Sequence, residues 1–394
     1  MKLVGIDIGK NSHHFCVMDK ETGEFNVTPS SFSNNKEGFD FLINSLKPYS
    51  KKSILLGMED TGHYHVALLK FLLSNGYTVA LINPKTTDLT RKMEGGITKN
   101  DKLDTITICD VLDTPERKKQ YRITKVDRFD LYEQRQLTRH HHNLKEELNI
   151  YCNRLQKSID LVFPEFNTLF GSKYGVVYMN LLKTFGSAEA IASTDIRTIR
   201  KCFEIKGRGG RISLTPEKLK ECAKNSIGIS SEVETIQIKH LVSQITLIKE
   251  QIAEIDKKIE GFSITNNSPI LSIPGISHFS GTSILAELGD IGNYSKPSQI
   301  IKFAGVAPYH YESSQYNAQH TGITKKGSKY LRKTLYQIIL TVINNNPVFK
   351  KYYLLKISQG KGHRCAQGHC IRKLLRIIYH LLETGQSFDP ALLR

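Results

Sequence analysis

No stretch of this chain approaches the roughly 18–20 consecutive apolar residues that cross a bilayer, so the sequence predicts no transmembrane helix and no membrane partner. The N-terminus lacks a basic segment followed by an apolar run and a cleavage site, which leads us to expect no signal peptide and a cytoplasmic location. Cysteine is sparse and odd in number, seven, which suits reduced thiols and argues against a disulfide framework. The one close pair, Cys365 and Cys370 with His363 and His369 nearby, has no second ligand pair at zinc spacing, so a zinc site is disfavoured. Acid is scarce at the C-terminal end, where residues 320–394 hold two Asp/Glu against 14 Lys/Arg.

What is present points to a globular nucleic-acid protein. A hydrophobic content of 39% over 394 residues supports two or three domains with at least one substantial core rather than a disordered chain. Residues 1–112 are neutral, with 13 Lys/Arg and 13 Asp/Glu, so the whole net charge of +17 lies beyond them. A neutral head and a strongly basic tail fit a phosphate-backbone partner. A merely solvated basic surface is the plainer alternative.

The head is organised around Lys2-Leu3-Val4-Gly5-Ile6-Asp7-Ile8-Gly9-Lys10. Its apolar run reads as a buried strand, and a carboxylate set into such a strand needs a cation. Strands are predicted at 2–8, 13–18, 23–33, 53–58 and 77–82, and helices at 35–47, 65–73 and 101–112, with Pro84 stopping the last strand. The order βββαβαβα is that of a ribonuclease H-like α/β fold. Glu59 falls at the end of the fourth strand. Asp101 and Asp104, three apart, share one face of a helix's first turn. Taken singly, Asp101 suits a helix cap and Asp104 a helix-dipole partner. Taken with Asp7 and Glu59 they suit a pair of divalent ions clamping a phosphodiester.

Two long helices follow, at 127–163 and 232–262. The first contains His140-His141-His142, whose three directions preclude one shared metal and read as a polar face. The second repeats Ile238, Leu241, Ile245, Ile248, Ile252, Ile255 and Ile259 at heptad spacing, a coiled-coil seam for its partner helix or for a second subunit. Gly207-Arg208-Gly209-Gly210-Arg211 reads equally as a phosphate contact or a linker. Leu271 to Leu288 resembles a helix-hairpin-helix, with Ser277 in place of the motif's second glycine, and a purely structural hairpin fits nearly as well. Lys325, Lys326, Lys329, Arg332 and Lys333 gather five cations within nine residues, a candidate nucleic-acid contact.

Phe303-Ala304-Gly305-Val306-Ala307-Pro308, Glu312-Ser313-Ser314 and Gly322-Ile323-Thr324-Lys325-Lys326-Gly327-Ser328, taken with the Asp7 strand, Met58-Glu59 and Lys99-Asn100-Asp101-Lys102-Leu103-Asp104, carry a family resemblance. The chain resembles the DEDD transposases of insertion sequences that include the Piv/MooV invertases, some of them called bridge-RNA-guided recombinases. The resemblance implies a RuvC-like DEDD domain at 1–125, a long-helix and coiled-coil region at 126–265, and a mainly helical transposase domain at 266–394. It implies that Asp7, Glu59, Asp101 and Asp104 bind Mg2+ or Mn2+, two ions, and that Ser313, five residues after Pro308, attacks DNA to form a phosphoserine link. The family's next residue is glycine where this chain has Ser314. Donor and target DNA, a noncoding guide RNA and further copies of the chain, as dimer or tetramer through the coiled coil, are the implied partners, in a bacterial or archaeal cytoplasm at the nucleoid.

Three other readings compete. A RuvC-like nuclease or junction resolvase would use the same acids with water and ignore Ser313. An actin-like ATPase shares the Gly5-Ile6-Asp7-Ile8-Gly9 turn but predicts a second such turn, which the sequence does not offer. A non-enzymatic RNA-binding protein explains the basic tail and leaves the four acids without a role.

Overall fold

The run Leu3-Val4-Gly5-Ile6 is buried throughout, which places β1 (Lys2–Asp7) in the middle of a sheet covered on both faces. In the computed structural model, residues 1–60, 62–93, 100–113, 123–126, 128–204, 213–309, 312–313, 316–317 and 322–392 are described. β1 pairs antiparallel with β2 (Ser12–Asp19), and β2 pairs antiparallel with β3 (Phe25–Ser33). Helix α1 (Lys36–Leu46), capped by the Asn35 side chain, returns the chain to β4 (Ile54–Glu59), parallel to β1. Helix α2 (His65–Ser74) leads to β5 (Val79–Ile82), parallel to β4. Helices α3 (Pro84–Met93) and α4 (Asp101–Asp113) precede β6 (Ile123–Val126), which runs antiparallel on the far side of β5. The strand order is β3-β2-β1-β4-β5-β6.

Strand alternation divides the side chains into two cores. Val4, Ile6, Phe15, Val17, Leu56 and Met58 meet α1 and α2 residues such as Leu42 and Leu69 on one face. Leu3, Cys16, Met18, Ala80 and Ile82 meet Ile108, Cys109 and Leu112 of α4 on the other. Helix α4 lies unusually close to the sheet because a Cβ on Gly5 would stand 2.0 Å from the Thr105 carbonyl oxygen.

Two elements of the sheet region, α3 and β6, escaped the sequence reading. Pro84 does end β5's extension, but it also occupies the first position of α3, where a missing N–H costs nothing. β6 is short, and its edge is held by Asn293, whose amide accepts from Lys125 N–H at 3.1 Å and donates to the Lys125 carbonyl at 3.1 Å.

The chain divides into two compact units, one of residues Met1–Gln136 with Asn266–Arg394, the other Leu137–Thr265. Both ends of the sequence therefore fall in one unit. In the second unit, α5 (Phe129–Val162) contributes Leu155, Ile159 and Val162 to a helical core. That core is completed by α6 (Val176–Thr184), α7 (Ala188–Ser193), α8 (Ile196–Lys201), α9 (Pro216–Lys224) and the first half of α10 (Glu232–Asn266). The expected seam is fully used within one chain. Ile238, Ile245, Ile248, Ile252, Ile255 and Ile259 are at most 7% exposed without any second copy, and Ile238 and Ile245 belong to the same core as Leu155 and Ile159. Of the two roles expected for the seam, packing within the chain is the one its burial accounts for, while Val233, Ile236, Leu247 and Ile264 of the same helix remain exposed. His141 and His142 are also buried rather than part of a polar face, with His141 Nε2 3.1 Å from Asp256 Oδ1.

In the C-terminal segment, α11 (His278–Leu288), α12 (Pro297–Phe303), α13 (Lys329–Asn345), α14 (Pro347–Ser358) and α15 (His363–Thr384) enclose Ile273, Ile284, Leu335, Ile339, Leu374 and Ile378. A single 3-10 turn, Pro269–Ser272, precedes the Gly275 turn, so the segment is not a pair of hairpin helices. Gly275 (φ 97) lies against the backbone of α13, where a Cβ would stand 2.8 Å from Val342 N. That packing makes the turn a structural joint. Cys370 is buried in the core and Cys365 is exposed. The Gly207 to Arg211 stretch lies outside the described residues. No helix among the described residues is long and apolar enough to cross a membrane.

Candidate active site

Period-two alternation puts three polar side chains at one end of the sheet on the α4 face. Leu3, Gly5 and Asp7 share that face of β1, and Asp7 pairs in register with His14 on β2. On β4 the same face carries Leu55, Gly57 and Glu59, since Gly57 pairs with Gly5. Asp7, His14 and Glu59 therefore stand at the end of three adjacent strands.

α4 brings the other two acids. The Asn100 side chain accepts from Lys102 N–H at 3.0 Å and caps the helix, which leaves Asp101 as its first residue rather than its cap. Asp104 follows one turn later, and its N–H donates to the Asn100 carbonyl at 2.9 Å. Because α4 rests on Gly5, this first turn projects beyond the strand end where Asp7 lies. Asp101 is 65% exposed and Asp104 only 12%.

The charges meet at Asp7. Burial pushes its carboxyl up to about 6, and the negative charges of Asp104, Asp101 and Glu59 push in the same direction, opposed weakly by a hydrogen bond from the Ile8 N–H. The carboxyl thus registers all three other acids. Two of them are held by neighbours: Arg91 Nη1 lies 3.5 Å from Asp104 Oδ1, and the Thr87 hydroxyl donates to Glu59 Oε1. His14 Nδ1 stands 3.7 Å from Asp101 Oδ2. Single ligand atoms of Asp7, His14 and Asp101 lie within 4.8 Å of one another.

These oxygen donors, a half-buried carboxyl whose pKa is raised by burial and by its acidic neighbours, and an imidazole suit a hard or borderline divalent cation. Such an ion would offset the clustered negative charge and lower the Asp7 pKa. The donor set fits a divalent metal ion, with Asp7, His14 and Asp101 as the grouped ligands.

Sequence reading missed His14, Thr87, Arg91 and His13. Thr87 and Arg91 sit on the overlooked helix α3, so no signal for them was available. His13 and His14 were visible only as strand residues. His13 is buried, which lowers its pKa, and its Nδ1 accepts from Gly9 N–H at 3.2 Å, fixing the turn that follows Asp7. Strand pairing, once drawn, would have placed His14 opposite Asp7.

The C-terminal motifs form a second assembly. Lys325 N–H donates to the Gly305 carbonyl at 3.0 Å, Thr324 N–H to Ala307 at 2.9 Å, and Ser328 N–H to Phe303 at 2.8 Å. The two motif blocks are thereby laced together. Gly327 (φ 117) is required in this lacing, because a Cβ there would lie 2.0 Å from the Phe303 carbonyl oxygen. Between the blocks, β7 (Glu312–Ser313) pairs antiparallel with β8 (Tyr316–Asn317), with Ser313 opposite Tyr316. Ser314 lies outside the described residues. Of the five cations, Lys325, Lys326 and Lys329 are exposed, and Lys333 is half-buried. Arg332 is committed to the lacing, donating from Nη1 to the carbonyls of Ala304 at 3.3 Å and Lys325 at 3.2 Å.

Comparison with known proteins gives two family matches. Residues 4–164 match a model described as a DEDD-type transposase, and residues 267–354 match the transposase IS116/IS110/IS902 family. The pilin gene-inverting proteins of Moraxella lacunata and Moraxella bovis are each 23% identical over 389 residues, covering 98% of this chain and 97% of theirs. The transposase for insertion sequence element IS1111A of Coxiella burnetii is 22% identical over 171 residues, 42% of this chain and 46% of that protein.

Proposed function

From the premise that the chain belongs to the IS116/IS110/IS902 family of transposases, we propose that it cuts and rejoins DNA with Ser313 as nucleophile beside a divalent-metal site of Asp7, Glu59, Asp101 and Asp104. The chain is a DNA transposase or recombinase, and DNA is its substrate. The observation that carries the site is geometric: Asp7 and Glu59 end adjacent strands, Asp101 and Asp104 share the first turn of α4, and ligand atoms of Asp7 and Asp101 lie within 4.8 Å of each other.

Each group has a part in this reading. The sheet order β3-β2-β1-β4-β5 with α4 across it supports a RuvC-like domain. Asp7, Glu59, Asp101 and Asp104 hold Mg2+ or Mn2+, as two ions, and the metal supplies charge stabilisation at the scissile phosphate. Thr87 and Arg91 keep Glu59 and Asp104 oriented. The Ser313 oxygen attacks phosphorus, giving up its proton; the O–P bond forms as the strand's P–O bond breaks, and the departing oxygen leaves as a hydroxyl. A strand hydroxyl then attacks the phosphoserine and frees the serine. One phosphodiester is lost and one made, so rejoining needs no ATP.

Lys325, Lys326 and Lys329, together with Lys333 and Arg332, form the nucleic-acid contact beside Ser313 in this reading. A noncoding RNA that pairs with donor and target DNA accounts for target choice by a protein whose cations address only phosphates. The test is to trap the protein on DNA under denaturing conditions. A covalent adduct supports the serine mechanism, and cutting without an adduct supports a water-using nuclease.

A further inference from the structure

We propose that His14 is a nitrogen ligand of the Asp7 metal site and biases that site toward manganese and other first-row transition ions over magnesium. The proposal rests on the metal-site reading above and goes beyond its four acids.

The backbone puts His14 there. Asp7 and His14 are register partners on antiparallel strands, so their side chains rise from the same face as direct neighbours. The imidazole is largely enclosed, 18% exposed, and its Nδ1 points at Asp101 across 3.7 Å. Asp7, His14 and Asp101 are the one group of three or more His, Cys, Asp or Glu residues among the described residues with ligand atoms mutually within 4.8 Å. Cis ligands on a six-coordinate ion with bonds of about 2.1 Å stand about 3 Å apart, so small side-chain rotations close the set. Asp101, on the helix's exposed first turn, has room for that rotation. Glu59 and Asp104 are instead restrained by Thr87 and Arg91.

The chemistry follows from the donor. Magnesium prefers carboxylates and water and dehydrates reluctantly. Imidazole binds first-row transition ions far better than it binds magnesium. A site of carboxylates alone would treat Mg2+ and Mn2+ as near equivalents, whereas one imidazole tips it toward Mn2+. A histidine acting only as counter-ion to Asp101 would behave oppositely, because an ion entering the site would displace it.

The test uses the full-length protein with Mn2+ or Mg2+ alone. Electron spin-echo modulation of bound Mn2+ should show a directly coordinated 14N in the wild type, and His14→Gln should abolish it. The same substitution should weaken Mn2+ binding by about 10-fold or more and leave Mg2+ binding nearly unchanged. His14→Asp should keep Mn2+ bound without the nitrogen signal and improve Mg2+ binding, a readout that does not depend on the glutamine variant's folding. Mn2+ bound in the wild type without 14N coupling, but lost in Asp7→Asn, would overturn the His14 proposal and leave the four-acid site standing. Mn2+ that binds neither the wild type nor His14→Asp would overturn both.

Discussion

Gly5 on β1 and Gly57 on β4 stand side by side in register, and α4 lies across both. A Cβ on Gly5 would fall 2.0 Å from the Thr105 carbonyl oxygen, and one on Gly57 would fall 2.8 Å from a Leu112 methyl. This bare strip of sheet sets the height of the helix that carries Asp101 and Asp104 over Asp7. The geometry of the acidic cluster therefore begins two residues before its central carboxylate.

Gly5→Ala tests that dependence. The obstacle is backbone, which cannot rotate away, so α4 must lift. We expect a loss of stability of about 1–3 kcal/mol and weakened Mn2+ binding, measured by chemical denaturation and metal titration. Gly171→Ala, where nothing lies within 4 Å of the added carbon, should change neither. Equal effects of the two substitutions would remove the packing argument.

The raised Asp7 carboxyl gives a pH dependence with a definite sign. Its folded value, about 6, lies above the ordinary 3.8, so the metal-free folded state binds more protons than the unfolded state between those limits. Stability of the metal-free protein should therefore fall as pH rises from about 4 to about 6 on account of Asp7. A divalent ion must displace that proton, so its stabilising effect in thermal melts should be larger at pH 8 than at pH 5. Asp7→Asn should flatten the metal-free trend and remove the metal's effect.

Ile245 separates a structural seam from an intersubunit one. It is fully buried within a single chain, in the core that also holds Leu155 and Ile159. Ile245→Ala should cost about 2–5 kcal/mol in denaturant melts with no change of particle mass in light scattering. A folded variant of reduced mass would restore the seam to an interface between copies.

The cations of the 325–333 stretch should split into two behaviours. Replacing exposed Lys325, Lys326 and Lys329 by Gln should reduce the salt dependence of nucleic-acid binding by roughly two to three units in the log–log slope, without loss of fold. Arg332→Gln should instead lower stability by about 1–3 kcal/mol, since it strips hydrogen bonds from the Ala304 and Lys325 carbonyls. An unchanged slope in the lysine variant would place those residues off the phosphate backbone.

How far the sequence could be read depended on how local the cause was. The Asp7 strand, Glu59 at its strand end and the Asp101–Asp104 face follow from alternation and helical spacing, and those elements appear within a few residues of their expected bounds. The α3 helix was hidden because Pro84 serves both as a strand stop and as a helix start. The β6 edge depends on Asn293, 168 residues from Lys125, and no local pattern carries that. A heptad of isoleucines reports that a stripe must be buried and says nothing about which helix buries it. The burial of His141 and His142, and the commitment of Arg332 to carbonyls, likewise come from packing partners far along the chain.

The most direct measurement is to react the wild type with cognate nucleic acids and metal, stop the reaction in denaturant, and identify the DNA-linked peptide by mass spectrometry. The account predicts phosphodiester-linked DNA on Ser313, present only with Mg2+ or Mn2+, and absent from Asp7→Asn and Ser313→Ala even though both still bind nucleic acid. DNA cut at the wild-type rate by Ser313→Ala, with no adduct on any residue, would contradict it and leave a metal-dependent nuclease that uses water.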